Sequence, residues 1–94
     1  MRLGYTEEKW RRLKARMEAS GDADEVGTDE YVLDLYDAPI PMTLELSWSG
    51  GHLCALSCER LSFSEEMDGW YISGAVDDPA AVEEALDGFI GQEP

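Results

Sequence analysis

Residues 42–60 read MTLELSWSGGHLCALSCER. Met42, Leu44, Leu46 and Trp48 alternate with Thr43, Glu45 and Ser47, the period of two that gives a β-strand one apolar and one polar face. Gly50-Gly51 follows at once, and two glycines can take the positive φ values of a tight hairpin turn. The chain from His52 to about Arg60, or as far as Phe63, is therefore the returning strand. A two-residue turn puts Leu44, Leu46 and Trp48 on one face with Leu53, Ala55 and Ser57. Thr43, Glu45, Ser47, His52, Cys54, Leu56 and Cys58 fall on the other.

Working outward, Tyr31, Leu33 and Leu35 alternate with Val32, Asp34 and Tyr36, which predicts a strand that the Asp37–Pro41 segment ends. A 64–69 loop leads into a last strand from Trp70 to about Val76. Before the strands, Thr6 is a helix N-cap, with Glu7 and Glu8 in the first turn and Trp10, Leu13 and Met17 on one stripe. Tyr5 and Trp10 have the spacing of a hydrophobic staple, and Gly21 is the stop. After the strands, Asp78 caps a helix opened by Pro79, with Val82, Ala85, Leu86, Phe89 and Ile90 on its apolar face. The expected order is α-β-β-β-β-α. It predicts an α+β two-layer sandwich, with a four-stranded antiparallel sheet covered on one face by helices at 6–20 and 78–91. Residues 1–94 form a single domain, and the acid-rich 19–30 stretch reads as a mobile loop.

Charge is segregated along the chain. Six of seven bases (Arg2, Lys9, Arg11, Arg12, Lys14 and Arg16) precede residue 17 and, set against Glu7 and Glu8, give that segment +4. The remainder has nineteen carboxylates and only Arg60, for −18, and the whole chain carries −14. Such a body repels phosphate backbones and anionic lipid, so neither direct nucleic-acid binding nor membrane association is expected. No apolar run reaches the ~20 residues of a membrane span, and the first residues lack a secretory signal, so a cytoplasmic protein is expected. An apolar content of 44 % excludes a disordered acidic tail.

Chemistry-bearing patterns are weak. His52, Cys54 and Cys58 would share a strand face, but four strand residues separate the thiols by ~13 Å, too far for one zinc or a disulfide. A nucleophilic cysteine needs a nearby cation or helix N-terminus, and neither adjoins Cys54 or Cys58. Asp22-x-Asp24-x-x-Gly27 begins like a calcium loop but puts Val26 and Leu33 where ligands belong. Trp10, Trp48 and Trp70 could stack on bases, but the surrounding charge makes core roles the expectation. No enzyme, metal or cofactor signature is present.

These readings converge on a small acidic binding or inhibitor protein. It would dock on a basic, nucleic-acid-binding protein by setting carboxylates where phosphates would lie. Nuclease inhibitors, immunity proteins and phage anti-defence proteins, anti-CRISPRs among them, use this charge strategy. The expected contact residues are Glu83, Glu84 and Asp87 on the second helix, Glu65, Glu66 and Asp68 in the 64–69 loop, and Asp22, Asp24 and Glu25 in the acidic stretch. A homodimer through the open sheet face is compatible with the pattern. The alternative is an acidic housekeeping domain adapted to a high-salt cytoplasm. The basic helix has its own plain reading, as a complement to carboxylates of the fold.

Overall fold

The computed structural model describes residues 1–92. Its elements are β1 (Arg2–Leu3), α1 (Glu7–Ser20), β2 (Ala23–Gly27), β3 (Glu30–Leu35), β4 (Met42–Ser49), β5 (His52–Ser64), β6 (Gly69–Ala75) and α2 (Pro79–Ile90). The α+β class and the two helices agree with the sequence reading. The sheet does not: it has six strands in the order β1-β5-β4-β3-β2, with β6 also on β5, and every pairing is antiparallel.

The two added strands come from segments without an apolar alternation. The 19–30 stretch, expected to be a loop, contains β2, which pairs with β3 through Ala23↔Leu33, Asp24↔Val32 and Glu25↔Tyr31. The ladder satisfies the backbone groups on the edge it turns to β3, while its side chains stay exposed or half-exposed. Hydrogen bonding fixes this strand, and burial leaves no periodic mark in the sequence. β1 is equally silent: Arg2↔Cys54 and Leu3↔Leu53 dock it on β5, and the Met1 ammonium donates to the Ala55 carbonyl at 2.7 Å.

Local sequence accounts for the helices. The Thr6 hydroxyl accepts from the Lys9 amide at 3.2 Å, and Gly21 ends α1 in the left-handed region at φ 75°. The Asp78 carboxylate caps α2 through the Ala80 amide at 3.0 Å, with Pro79 at the first helical position. Trp10, Leu13 and Met17 of α1 and Val82, Ala85, Leu86, Phe89 and Ile90 of α2 join one buried cluster with Tyr31, Leu33, Leu35, Met42, Leu44, Leu46 and Leu53. Both helices therefore cover the same sheet face. Trp10 and Trp48 lie nearly parallel, 3° apart with centroids at 5.8 Å, and Tyr31 meets the Trp10 ring edge-on at 6.0 Å.

The β4–β5 hairpin turns at Gly50-Gly51, with φ 61° and 78°, as two glycines in a primed turn should. Its register then departs from the expected one. Leu46 pairs with Ala55 but Glu45 pairs with Ser57, so Leu56 is an unopposed bulge residue. One extra residue exchanges the faces beyond it. Cys58, expected outside with Cys54, lies opposite Leu44 and is buried in the helix-side core, while Ser57 is turned out and exposed. His52, Cys54 and Cys58 thus do not share a face, which removes the geometric basis of a joint metal site. Cys58 contacts the Met42 sulfur at 3.7 Å, and burial together with neighbouring Glu59 pushes its thiol pKa up.

Two outcomes follow from this packing. Leu86→Ala empties a fully buried position and should cost about 2–5 kcal/mol in urea unfolding; a loss under ~1 kcal/mol would contradict the core assignment. A thiol reagent should label half-exposed Cys54 first and reach Cys58 only with unfolding, read by mass spectrometry. Equal labelling rates in the folded protein would contradict the bulged register.

Candidate anionic interface

The nine carboxylates picked from sequence fall in three places. Glu83, Glu84 and Asp87 are on α2, Asp22, Asp24 and Glu25 lie at or near β2, and Glu65, Glu66 and Asp68 cap the β5–β6 turn.

On α2 two of the three are engaged inside the fold. Asp87 accepts from the Tyr5 hydroxyl at 2.9 Å and pairs with the Lys9 ammonium at 2.8 Å. Glu83 accepts from the Gly4 amide at 2.7 Å, and a Cβ on Gly4 would come within 2.9 Å of that same oxygen. Partial burial alone would raise the Asp87 carboxyl, but the bonds from Lys9 and Tyr5 outweigh it and hold the group below its ordinary range. The Tyr5 hydroxyl is pushed well above its usual value, first by burial and then by its bond to Asp87. These contacts bind the two ends of the chain to each other.

The basic helix is largely spent on the fold as well. Lys14 pairs with Asp29 at 3.0 Å, which raises the lysine pKa, and Arg11 pairs with Glu7 one turn earlier at 2.8 Å. The Arg16 guanidinium lies 5.0 Å from the centre of the Phe89 ring. Asp29 also accepts, through its carbonyl, the Trp48 amide at 3.0 Å, so the Lys14 contact steadies the β2–β3 turn against β4. Among the described residues, Arg2 and Arg12 form no ion pair.

Glu84 differs from its neighbours on α2. It is exposed and lines a groove of about 110 Å³ with Asp22, Asp34 and Asp37, over a floor that includes Leu35, Ala85 and Phe89. The groove brings together two carboxylates selected from separate segments, Glu84 and Asp22. It adds two that sequence reasoning missed, Asp34 and Asp37. Asp34 accepts from the Thr43 hydroxyl at 2.6 Å. Among the described residues, the other three accept no hydrogen bond from a side chain. Asp34 is on the polar side of β3 and Asp37 in the break after it; only the packing of α2 beside that strand end makes Asp37 a neighbour of Glu84. Asp34 is turned to the Thr43 side of the sheet, away from α2, so a shallow cleft edged by Glu84, Asp22 and Asp37 over an apolar floor is left to suit a lysine or arginine side chain, the stem on the floor and the cation at the rim.

Asp24 and Glu25 lie outside this groove, and Glu25 stands 3.4 Å from the Tyr31 hydroxyl, which also donates to Glu18 at 3.2 Å. Glu65, Glu66 and Asp68 are exposed at the turn, where Asp68 takes φ 50°. They do not join the groove.

The Asp87 contacts set a pH dependence. A carboxyl with a depressed folded pKa contributes stability that is complete above its unfolded value, ordinarily 3.8, and is lost as pH falls through the folded value. Unfolding midpoints of the wild type should therefore fall with acid more steeply than those of Asp87→Asn below about pH 4. Parallel curves would show that the Lys9–Asp87–Tyr5 contacts do not contribute to stability.

Comparison with known proteins adds no relative to this picture: no family model matches the chain, and no curated protein or solved structure matches it either.

Proposed function

We propose that this protein is a binding protein, not an enzyme, that docks its anionic surface on a basic, nucleic-acid-binding partner in the cytoplasm and blocks the partner's cleft. The observation that carries the reading is the division of charge among side chains. Lys9, Lys14 and Arg11 are paired within the fold, while Glu84, Asp22 and Asp37 line one groove and, among the described residues, form no ion pair. Bases engaged internally are poor contact residues for an acidic ligand, whereas unpaired carboxylates over an apolar floor attract a cationic side chain and speed encounter with a basic surface. Glu65, Glu66, Asp68, Asp24 and Glu25 extend the anionic field around that contact. Glu83 and Asp87 support it by holding α2 to the amino-terminal segment.

The test begins with capture from host or prey lysate on the immobilised protein, with mass spectrometric identification and calorimetry on the purified partner. The partner should be basic, affinity should weaken between about 0.05 and 0.5 M salt, and duplex DNA should compete. Reversing Glu84, Asp22 and Asp37 to Lys together should weaken binding roughly tenfold or more, with the fold intact. Affinity insensitive to salt and to this triple reversal would overturn the proposal. A chain that folds only in molar salt would point instead to an acidic domain adapted to its solvent.

A further inference from the structure

Strand β5 outlasts its neighbour. β4 pairs with it only as far as Met42↔Arg60, and the Leu61 amide donates to the Pro41 carbonyl at 2.8 Å. Ser62–Ser64 then have β6 alone beside them, and among the described residues no strand pairs with the outer edge of β6. The end of the β5–β6 hairpin is thus a two-stranded ribbon, an arrangement with marginal stability in water unless something covers it.

The ribbon is also apolar on the wrong side. Cys58 points into the helix-side core, so by alternation Leu61 and Phe63 point to the opposite face, where Ile72 and Trp70 are their cross-strand partners. Trp70 packs against Phe63 at 5.5 Å and Tyr36 at 5.0 Å between centroids. Tyr36, Phe63, Trp70 and Ile72 nevertheless remain 44 %, 50 %, 43 % and 55 % exposed, and every residue from Trp70 to Ala75 is exposed. Side chains of this size carry ~150–250 Å² each, so the four leave roughly 400 Å² of apolar patch uncovered. That is about half of the ~800 Å² each partner gives a standard interface.

We propose that this ribbon is covered by the ribbon of a second copy, β6 against β6, antiparallel about a two-fold axis. The edge itself asks for a strand. Its sequence, GWYISGA, contains no lysine, no proline and no charge, the devices that keep exposed edges from pairing. One irregularity is present, the extra residue Ser73 beside Gly74 at φ 156°, and it lies toward the far end, leaving 69–72 regular. An axis at Tyr71 sets Trp70 opposite Ile72 of the second copy, so the two outer patches become continuous. The open backbone groups and Tyr71 supply the rest of the contact.

Charge selects between occupants. The carboxylates Glu65, Glu66 and Asp68 sit at the hairpin tip, not along the edge. In an antiparallel pair about Tyr71 the two tips lie at opposite ends, ~20 Å or more apart and beyond the ~10 Å screening length, while each tip comes beside Asp77 of the second copy and adds to the repulsion there. The strand offers a cationic partner nothing to pair with, whereas a second copy offers an equally uncharged edge. Repulsion between two chains of −14 remains, so added salt should strengthen this association. That sign is opposite to the one expected for docking on a basic protein, and the two readings stand or fall separately.

Sedimentation velocity of the full chain from about 1 µM to about 1 mM, at low and high salt, tests the proposal. The expected result is a dimer that tightens with salt, and a double variant Trp70→Lys, Ile72→Lys that weakens it at least ~100-fold while Glu84→Lys leaves it unchanged. Hydrogen exchange on the wild type gives a second readout free of any folding defect in the variant: β6 amides should gain protection as protein concentration rises. A monomer throughout the range at high salt, a dimer that salt dissolves, or β6 amides indifferent to concentration would each overturn it.

Discussion

Strand β5 must find hydrogen-bond partners along thirteen residues and on two edges, and most of the architecture answers that demand. One edge is served by β4. The other is shared end to end by β1 at Leu53–Cys54 and β6 at Glu59–Ser64, two segments from opposite parts of the chain. The bulge at Leu56 falls between these two neighbours. It rephases the strand, so Leu53, Ala55 and Cys58 serve the helix-side core while Leu61 and Phe63 serve the other face. A single added residue thereby converts one long strand into two half-strands with opposed apolar faces, one for each layer of packing.

What could be read from sequence follows from the same division. Apolar periodicity reports burial, so α1, α2, β3, β4 and the start of β5 were legible to within a residue or so. The caps Thr6, Gly21 and Asp78 were legible too, because each supplies a local hydrogen bond or backbone conformation that few residues can. β1 and β2 were not, since they are held by backbone pairing with little burial of their own. The bulge was invisible because Leu56 and Ser57 fit a strand in either phase. The error this caused was specific: Cys58 and Ser57 were exchanged between faces. The groove was half legible. Its residues were chargeable suspects, but Asp37 comes to the groove of Glu84 only after the sheet and α2 have been stacked.

Charge that is segregated along the chain is blended in the fold. Lys9 reaches Asp87 across most of the sequence, and Lys14 reaches Asp29 at the β2–β3 turn. Each of these half-exposed pairs is worth little by itself. Their contribution lies in where they act, with Tyr5 and Gly4 adding uncharged donors to the same helix. The amino-terminal segment is thus clasped to α2 by polar bonds at the rim while Leu3 and Tyr5 are buried beneath. Polar closure over an apolar contact excludes water from it, and the carboxylates left outside this closure define the anionic surface.

The three tryptophans are placed so that light can tell these parts apart. Trp10 and Trp48 lie face to face in and beside the core, close enough for their electronic transitions to couple, which gives a paired near-ultraviolet dichroism band that vanishes when α1 leaves the sheet. Trp70 is 43 % exposed at the ribbon, so its emission should lie to the red of the other two and respond to collisional quenchers. Dichroism therefore follows the integrity of the two-layer core, and quencher-accessible emission follows what covers β6. An unlabelled sample reports both, at separate wavelengths.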